Sequence, residues 1–314
     1  MLILSAEAVQ RALPMRDAID AVRAGFIALS TGKATVPVRG VMSVNGNTTL
    51  TMPAYIHGSP VSVVKIISVY PGNPARGLPT VLGNVLALDA ATGEALALID
   101  GGSLTAIRTG AASGVATDLL ARPDAHRLAV IGSGKQARTQ VEAVMCVRPI
   151  DQIRVYSPTP AHAAAFSDEL RQHYKVDATA APDLASVLRD ADVVVAATNS
   201  AEPVVELKHL TRGVHINGVG SFRPDMREIA GDVVAQATIV VDHRESVWAE
   251  AGDLIIPRDQ GLISANSVHA ELGEIAAGLC PGRADAEEIT FFKSVGNAVQ
   301  DAAVAERVVA ALRK

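Results

Sequence analysis

Six consecutive residues, Gly132-Ser133-Gly134-Lys135-Gln136-Ala137, follow the apolar run Leu128-Ala129-Val130-Ile131 without a break. The spacing is G-x-G-x-x-A, which suits the pyrophosphate of a dinucleotide. The first glycine makes a tight turn, the second lets backbone N–H groups approach a phosphate, and the small third residue permits close helix–strand packing. A helix opened by such a turn adds its positive N-terminal end. The motif alone says little; a strand before it, a helix after it and a second strand–helix unit make it specific. The next apolar run, Ile153-Arg154-Val155-Tyr156, ends at Ser157, about 25 residues on, where an NAD-preferring site places Asp or Glu against the ribose. Neither Ser157 nor Pro158 is acidic, and no Arg or Lys follows immediately. Nothing there repels a 2′-phosphate, so NADP(H) is slightly favoured over NAD(H). His57, His215, His243 and His269 have no metal-ligand spacing and read as structural or surface residues, with no metal centre expected. Cys146 and Cys280 read as lone thiols.

The elements that must hold these residues fall into two patterns. Ile19, Val22, Phe26 and Leu29 recur three or four apart and predict a helix over 15–29, with Gly32 as its stop. From Val36 to Ile99 the segments are short, rich in Val, Thr and Ile, and punctuated by Gly, Pro and Asn. Asn45-Gly46 predicts a hairpin, and Asp89 to Gly93 a second turn. The first ~115 residues therefore read as a mainly antiparallel sheet carrying an N-terminal helix. From Arg127 onward strands and helices alternate, with strands at 128–131, 153–156, 193–196, 214–216 and 238–241 and helices at 135–145 and 161–173. Such alternation implies βαβ crossovers and a doubly wound parallel sheet. Gly296 to Leu312 reads as an Ala/Val helix that returns to cover the first domain. Trp248 and Asp242-His243-Arg244-Glu245 are placed at a strand end and a helix cap.

Composition narrows the function further. With 28 Lys+Arg against 33 Asp+Glu, a net charge of −5 and no run of five like charges, the 314-residue chain offers no nucleic-acid surface. Its longest apolar stretches are strand-sized, below the ~18–20 residues of a membrane span. No signal-like segment opens the sequence, and the two cysteines form no disulfide framework. A soluble, cytoplasmic, two-domain α/β protein is expected.

Further motifs occur in a telling order. They are Pro37-Val38-Arg39, Lys65 ahead of Tyr70-Pro71-Gly72-Asn73, Gly77-Leu78-Pro79-Thr80 and Leu104 to Ser113 with Ile107-Arg108-Thr109-Gly110-Ala111 at its centre. The glycine turn follows, then Asn217-Gly218-Val219-Gly220-Ser221 and Ser294-Val295-Gly296. Over essentially its whole length the chain resembles the ornithine cyclodeaminase/μ-crystallin family. The resemblance implies an α/β fold with a Rossmann-type doubly wound parallel sheet and a split N-/C-terminal α+β domain. The implied substrate-binding and dimerisation domain is 1–118 with 292–314, and the dinucleotide domain is 119–291. It implies a homodimer, and that Arg39 and Arg108 grip a substrate carboxylate while Lys65 is the active-site lysine. Thr80, Thr109, Gly132, Ser133, Gly134, Gln136, Ala137, Thr198, Val219 and Ser294 match cofactor-contacting positions, with Ser157 at the ribose.

The residue types suit these roles. Arginines clamp a carboxylate by planar, bidentate hydrogen bonding. Lys65 lies in an apolar run, so its side chain points to a pocket or to water, unless it guards an edge strand. Arg39 also fits a solvated loop, and Arg108 a carbonyl cap. Beside two guanidinium groups the lysine's pKa should fall, which suits proton transfer near neutrality. Members of the family with cyclodeaminase activity carry an acidic residue where this chain has Phe222, in the loop Ser221-Phe222-Arg223-Pro224-Asp225. The expected activity is therefore NAD(P)H-dependent reduction of a small cyclic imino acid, Δ1-pyrroline-2-carboxylate or Δ1-piperideine-2-carboxylate. The alternatives are an ornithine cyclodeaminase or alanine dehydrogenase-like oxidoreductase, or a non-enzymatic ligand-binding protein.

Overall fold

A computed structural model describes residues 1–312, which divide into two compact units: 1–111 with the segment from 297 onward, and 112–296. The first unit opens with β1 (Leu2–Leu4), α1 (Ala6–Ala12) and α2 (Met15–Ser30). Its sheet continues through β2 (Ala34–Thr35), β3 (Gly40–Val44), β4 (Asn47–Ile56) and β5 (Val61–Val69), then β6 (Val81–Asp89) and β7 (Ala95–Asp100). The pairing order is β1-β7-β6-β5-β4-β2, with β3 on β4, and only β1–β7 is parallel. Asn45 and Gly46 have φ of 51° and 78° and bring Val44 opposite Asn47, the left-handed pair that a tight hairpin needs. Ile19, Val22 and Phe26 are buried, as their spacing predicts.

After β7 comes α3 (Gly101–Leu120), a 20-residue helix that contains the whole Leu104 to Ser113 block. It is buried almost all round, so it has no apolar stripe for periodicity to find.

The second unit holds β8 (Arg127–Ile131), α4 (Lys135–Val147), β9 (Gln152–Tyr156), α5 (Pro160–Tyr174) and β10 (Asp177–Ala180). Next come α6 (Leu184–Leu188), β11 (Val193–Ala196), β12 (His215–Gly218), α7 (Gly231–Gln236) and β13 (Thr238–Val241). It closes with α8 (Arg244–Glu250), α9 (Gly252–Asp259), β14 (Val268–Glu271), α10 (Leu272–Ala276) and β15 (Thr290–Lys293). The eight strands form one parallel sheet in the order β10-β9-β8-β11-β12-β15-β13-β14. Both faces are covered. Leu128 and Val130 enter one core and Ala129 and Ile131 the other, so the strand reads as a continuous apolar run.

α11 (Ala298–Leu312) packs against α2, β4 and β5 of the first unit. The boundaries differ from 118 and 292. Residues 112–120 join the second unit because Thr117 and Leu120 bond its sheet residues Asn217 and Thr290. Residues 292–296 join it because β15 lies between β12 and β13, and Asp242 then holds Ser294, Val295 and Gly296. Arg313 and Lys314 lie outside the described residues. No described helix is long and apolar enough to cross a membrane.

Candidate active site

Lys65 does not stand on an edge strand. β5 is central, with Met52 opposite Lys65 on one side and Val85 on the other. Strand alternation puts Lys65 on the face of Val61 and Val63, so the side chain is only 1% exposed. There its Nζ donates to Asp301 Oδ1 of α11 at 2.9 Å. Arg108 reaches the same place from the interior of α3, not as a carbonyl cap. Its Nε lies 3.4 Å from Asp301 Oδ1, and its Nη1 donates to Gln300 Oε1 at 2.5 Å. Arg39, one residue before β3, is near enough for its charge to act on Lys65.

These surroundings set the lysine's proton affinity. Burial lowers it most; the Asp301 carboxylate opposes that, and the Arg108 and Arg39 charges lower it further, to a pKa of about 8. An amine so placed changes charge near neutral pH. Two cations, Lys65 and Arg108, about one buried carboxylate also leave an excess of positive charge, which favours an anionic ligand. Asp301 Oδ2, Gln300 Nε2 and Arg108 Nε are buried without a hydrogen-bond partner among the described residues. Buried polar atoms are normally paired, so these have capacity for a polar ligand. Asp301 and Gln300 escaped sequence reasoning. Their one signal is two adjacent polar residues in an Ala/Val helix, and it names no role. Thr109 is buried on α3 beside Arg108, whereas Thr80 is exposed ahead of β6, its carbonyl accepting from Tyr70 N at 2.8 Å.

In the second unit the matched positions share one edge. Gly132 follows β8, Ser157 follows β9, Thr198 lies two residues past β11, Val219 follows β12 and Ser294 follows β15. All strands are parallel, so their C-terminal ends form a single rim, where doubly wound sheets bind ligands. Gly132 has φ of 111°, and a Cβ there would lie 2.5 Å from Ala197 O. A Cβ on Gly134 would meet nothing within 4 Å, so backbone amides can be approached. Ala137 is fully buried against the strand, Gln136 is half-buried, and α4 has Gly134 as its N-cap, with no side-chain cap on its first N–H groups. The turn therefore fits a dinucleotide pyrophosphate, its carbonyls facing away. Arg138 Nη1 binds the Ser133 and Gly134 carbonyls at 2.8 and 3.2 Å and is itself held by Glu169, a brace that the motif does not contain. Ser157 Oγ accepts from Thr159 N at 3.4 Å, and Ser294 Oγ donates to Asp242 at 2.7 Å.

The model of the ornithine cyclodeaminase/mu-crystallin family matches residues 1–314. The chain belongs to this family. Within it, the Delta(1)-pyrroline-2-carboxylate reductase of Bacillus cereus is 40% identical over 309 residues, covering 98% of this chain and 95% of that one. The Thermococcus litoralis Delta(1)-pyrroline-2-carboxylate reductase, solved with NADH and L-proline, superposes with a TM-score of 0.95 at 40% identity, covering 100% and 98% of the two chains. An archaeal alanine dehydrogenase dimer with bound NAD gives 0.94 at 34% identity, covering 100% and 96%. In this family member the loop after Gly220 carries Phe222, about half exposed. The nearby Asp225 carboxylate is bound by Arg223 at 3.0 and 3.1 Å.

Proposed function

We propose that this chain is an NAD(P)H-dependent reductase of a small cyclic imino acid, Δ1-pyrroline-2-carboxylate or Δ1-piperideine-2-carboxylate. The observation that carries this reading is the meeting of Lys65 and Arg108 at the buried Asp301 carboxylate, a site that contains an amine titrating near neutrality. Arg39 and Arg108 hold the carboxylate, and Lys65 gives a proton to the ring nitrogen. The G-x-G-x-x-A turn and the rim residues hold the dinucleotide, whose nicotinamide supplies the hydride to the C=N carbon. Neutral Ser157-Pro158-Thr159 admits either cofactor, with NADP(H) slightly favoured. The test is a panel of cyclic imines, α-keto acids with ammonia, and amino acids, each with NADH and NADPH, following loss or gain of reduced-nicotinamide absorbance. No turnover of cyclic imines with either cofactor overturns the reading.

L-Ornithine should be a poor substrate. Cyclodeamination needs the terminal amine deprotonated, and its reference pKa is about 10. A carboxylate in the loop after Gly220 would hold the ammonium and take its proton. Phe222 can do neither, and Asp225 is already paired with Arg223. Incubation with L-ornithine and catalytic NAD⁺ should release ammonia and proline far more slowly than the enzyme reduces a cyclic imine. Comparable rates would restore the cyclodeaminase reading.

The chain should also be a homodimer. On the first unit Val38, Val41, Met42 and Val81 are 81%, 69%, 57% and 52% exposed, an apolar surface that a second copy would bury. The archaeal alanine dehydrogenase relative is a dimer, which supports this assembly. Light scattering at micromolar concentration should give twice the chain mass. A monomer contradicts it.

A further inference from the structure

Three charged residues with no part in the proposed chemistry are sealed inside the second unit. Glu228, Asp253 and Lys293 are each 0% exposed. Glu228 Oε1 accepts from Thr198 N and Thr198 Oγ1 at 2.6 and 2.9 Å, and its Oε2 from Gly220 N and Ser221 N at 2.7 and 3.1 Å. One carboxylate thus ties the loop after β11 to the loop after β12. Asp253 holds Glu228 in turn. Its Oδ1 accepts from Glu228 N and Ile229 N at 2.6 and 2.9 Å, and its Oδ2 from Ser221 Oγ and Lys293 Nζ at 2.5 and 2.9 Å. Lys293 Nζ also donates to Ser221 O at 2.7 Å and Ser221 Oγ at 2.9 Å.

Burial and the neighbouring Asp253 push the Glu228 carboxyl upward, while Lys293 and the Thr198 donors pull it back. All four of its hydrogen-bond partners are donors, as are all four of Asp253's. Every oxygen of the two carboxyl groups thus meets two donors, and burying such groups is costly unless their lone pairs are occupied in this way. The two loops also meet without slack. A Cβ on Gly220 would lie 2.0 Å from Thr198 O and 2.4 Å from Thr198 N.

The topology says which end of a dinucleotide these loops face. The pyrophosphate turn follows β8, and the ribose position follows β9 on one side. β11 and β12 lie on the other side of β8, so their loops face the nicotinamide half. Resting on the proposed use of a dinucleotide, we infer that Glu228 is a positioning residue for the nicotinamide end, clamping Thr198 against Gly220–Ser221 so that the two loops form one preset wall.

The experiment compares binding of NADH with binding of ADP-ribose, which lacks the nicotinamide, by calorimetry on the full-length protein. Glu228→Gln keeps the size but places an amide donor where N–H groups now point. It should weaken NADH by about tenfold or more and leave ADP-ribose within about twofold. Gly220→Ala keeps every charge and wedges the same loops apart, and it should give the same split; it decides the matter if Glu228→Gln does not fold. Equal loss of both ligands, or loss of neither, overturns the assignment. A wild-type protein that binds neither ligand would instead overturn the proposed function, and this assignment with it.

Discussion

Lys65→Met lowers kcat for imine reduction by about 10²–10⁴-fold and leaves NADH affinity within about threefold. When hydride reaches the C=N carbon, the nitrogen must end with a proton, and the proposed function assigns that proton to Lys65. Its ammonium is bound to Asp301 Oδ1 at 2.9 Å, which favours the charged form, while burial and the two arginines favour release. The protonated lysine is the competent form. Wild-type kcat/KM should therefore be full at lower pH and decline as the pH rises through about 8, the pKa that this burial and these charges set in the free enzyme. In Lys65→Met that limb should be absent. Methionine matches the length of the buried stem and avoids a cavity, so the comparison isolates the amine. Normal turnover, or a loss of NADH affinity in place of turnover, contradicts the role.

Arg108→Lys heavily lowers kcat/KM for the imino acid, and Arg108→Ala, which truncates the side chain, lowers it by about 30- to 5,000-fold, equivalent to roughly 2–5 kcal/mol. Lysine keeps the charge and loses the planar fork that grips a carboxylate at two points. The guanidinium is also aimed by the 2.5 Å bond from Nη1 to Gln300, a fixed orientation that a freely rotating ammonium does not reproduce. NADH affinity should change far less than kcat/KM, since Arg108 is assigned to the substrate carboxylate and not to the dinucleotide. Steady-state kinetics with NADH saturating and the imino acid varied give the comparison. An Arg108→Ala enzyme with kcat/KM within about threefold of wild type refutes the clamp.

Local physics is legible in a sequence wherever a residue's backbone preference or burial period decides the outcome. Asn45-Gly46 forms the hairpin because both residues tolerate positive φ. Gly132 to Ala137 follows β8 and opens α4 because Gly132 turns at a positive φ where a Cβ would strike Ala197 O. α3 was not legible, because a helix buried on nearly every side has no stripe. β15 was not legible either. Thr290–Lys293 has only two strong apolar residues, and its central place in the sheet is set by its neighbours β12 and β13.

The sequence by itself determined the two-part organisation, the dinucleotide turn and the residues that the family resemblance singles out. Only the tertiary structure decided what those residues touch. Lys65 and Asp301 are 236 positions apart, and Arg108 and Gln300 are 192 apart. No spacing rule spans such distances; the pairs meet because α11 returns to lie on β5. The rim has the same origin. Gly132, Ser157, Thr198, Val219 and Ser294 are scattered along the chain, and a parallel sheet brings every strand's C-terminal end to one edge. Glu228 shows the limit most plainly. In sequence it is one acidic residue among many, and its four donors come from two loops that meet only after β11 and β12 have paired.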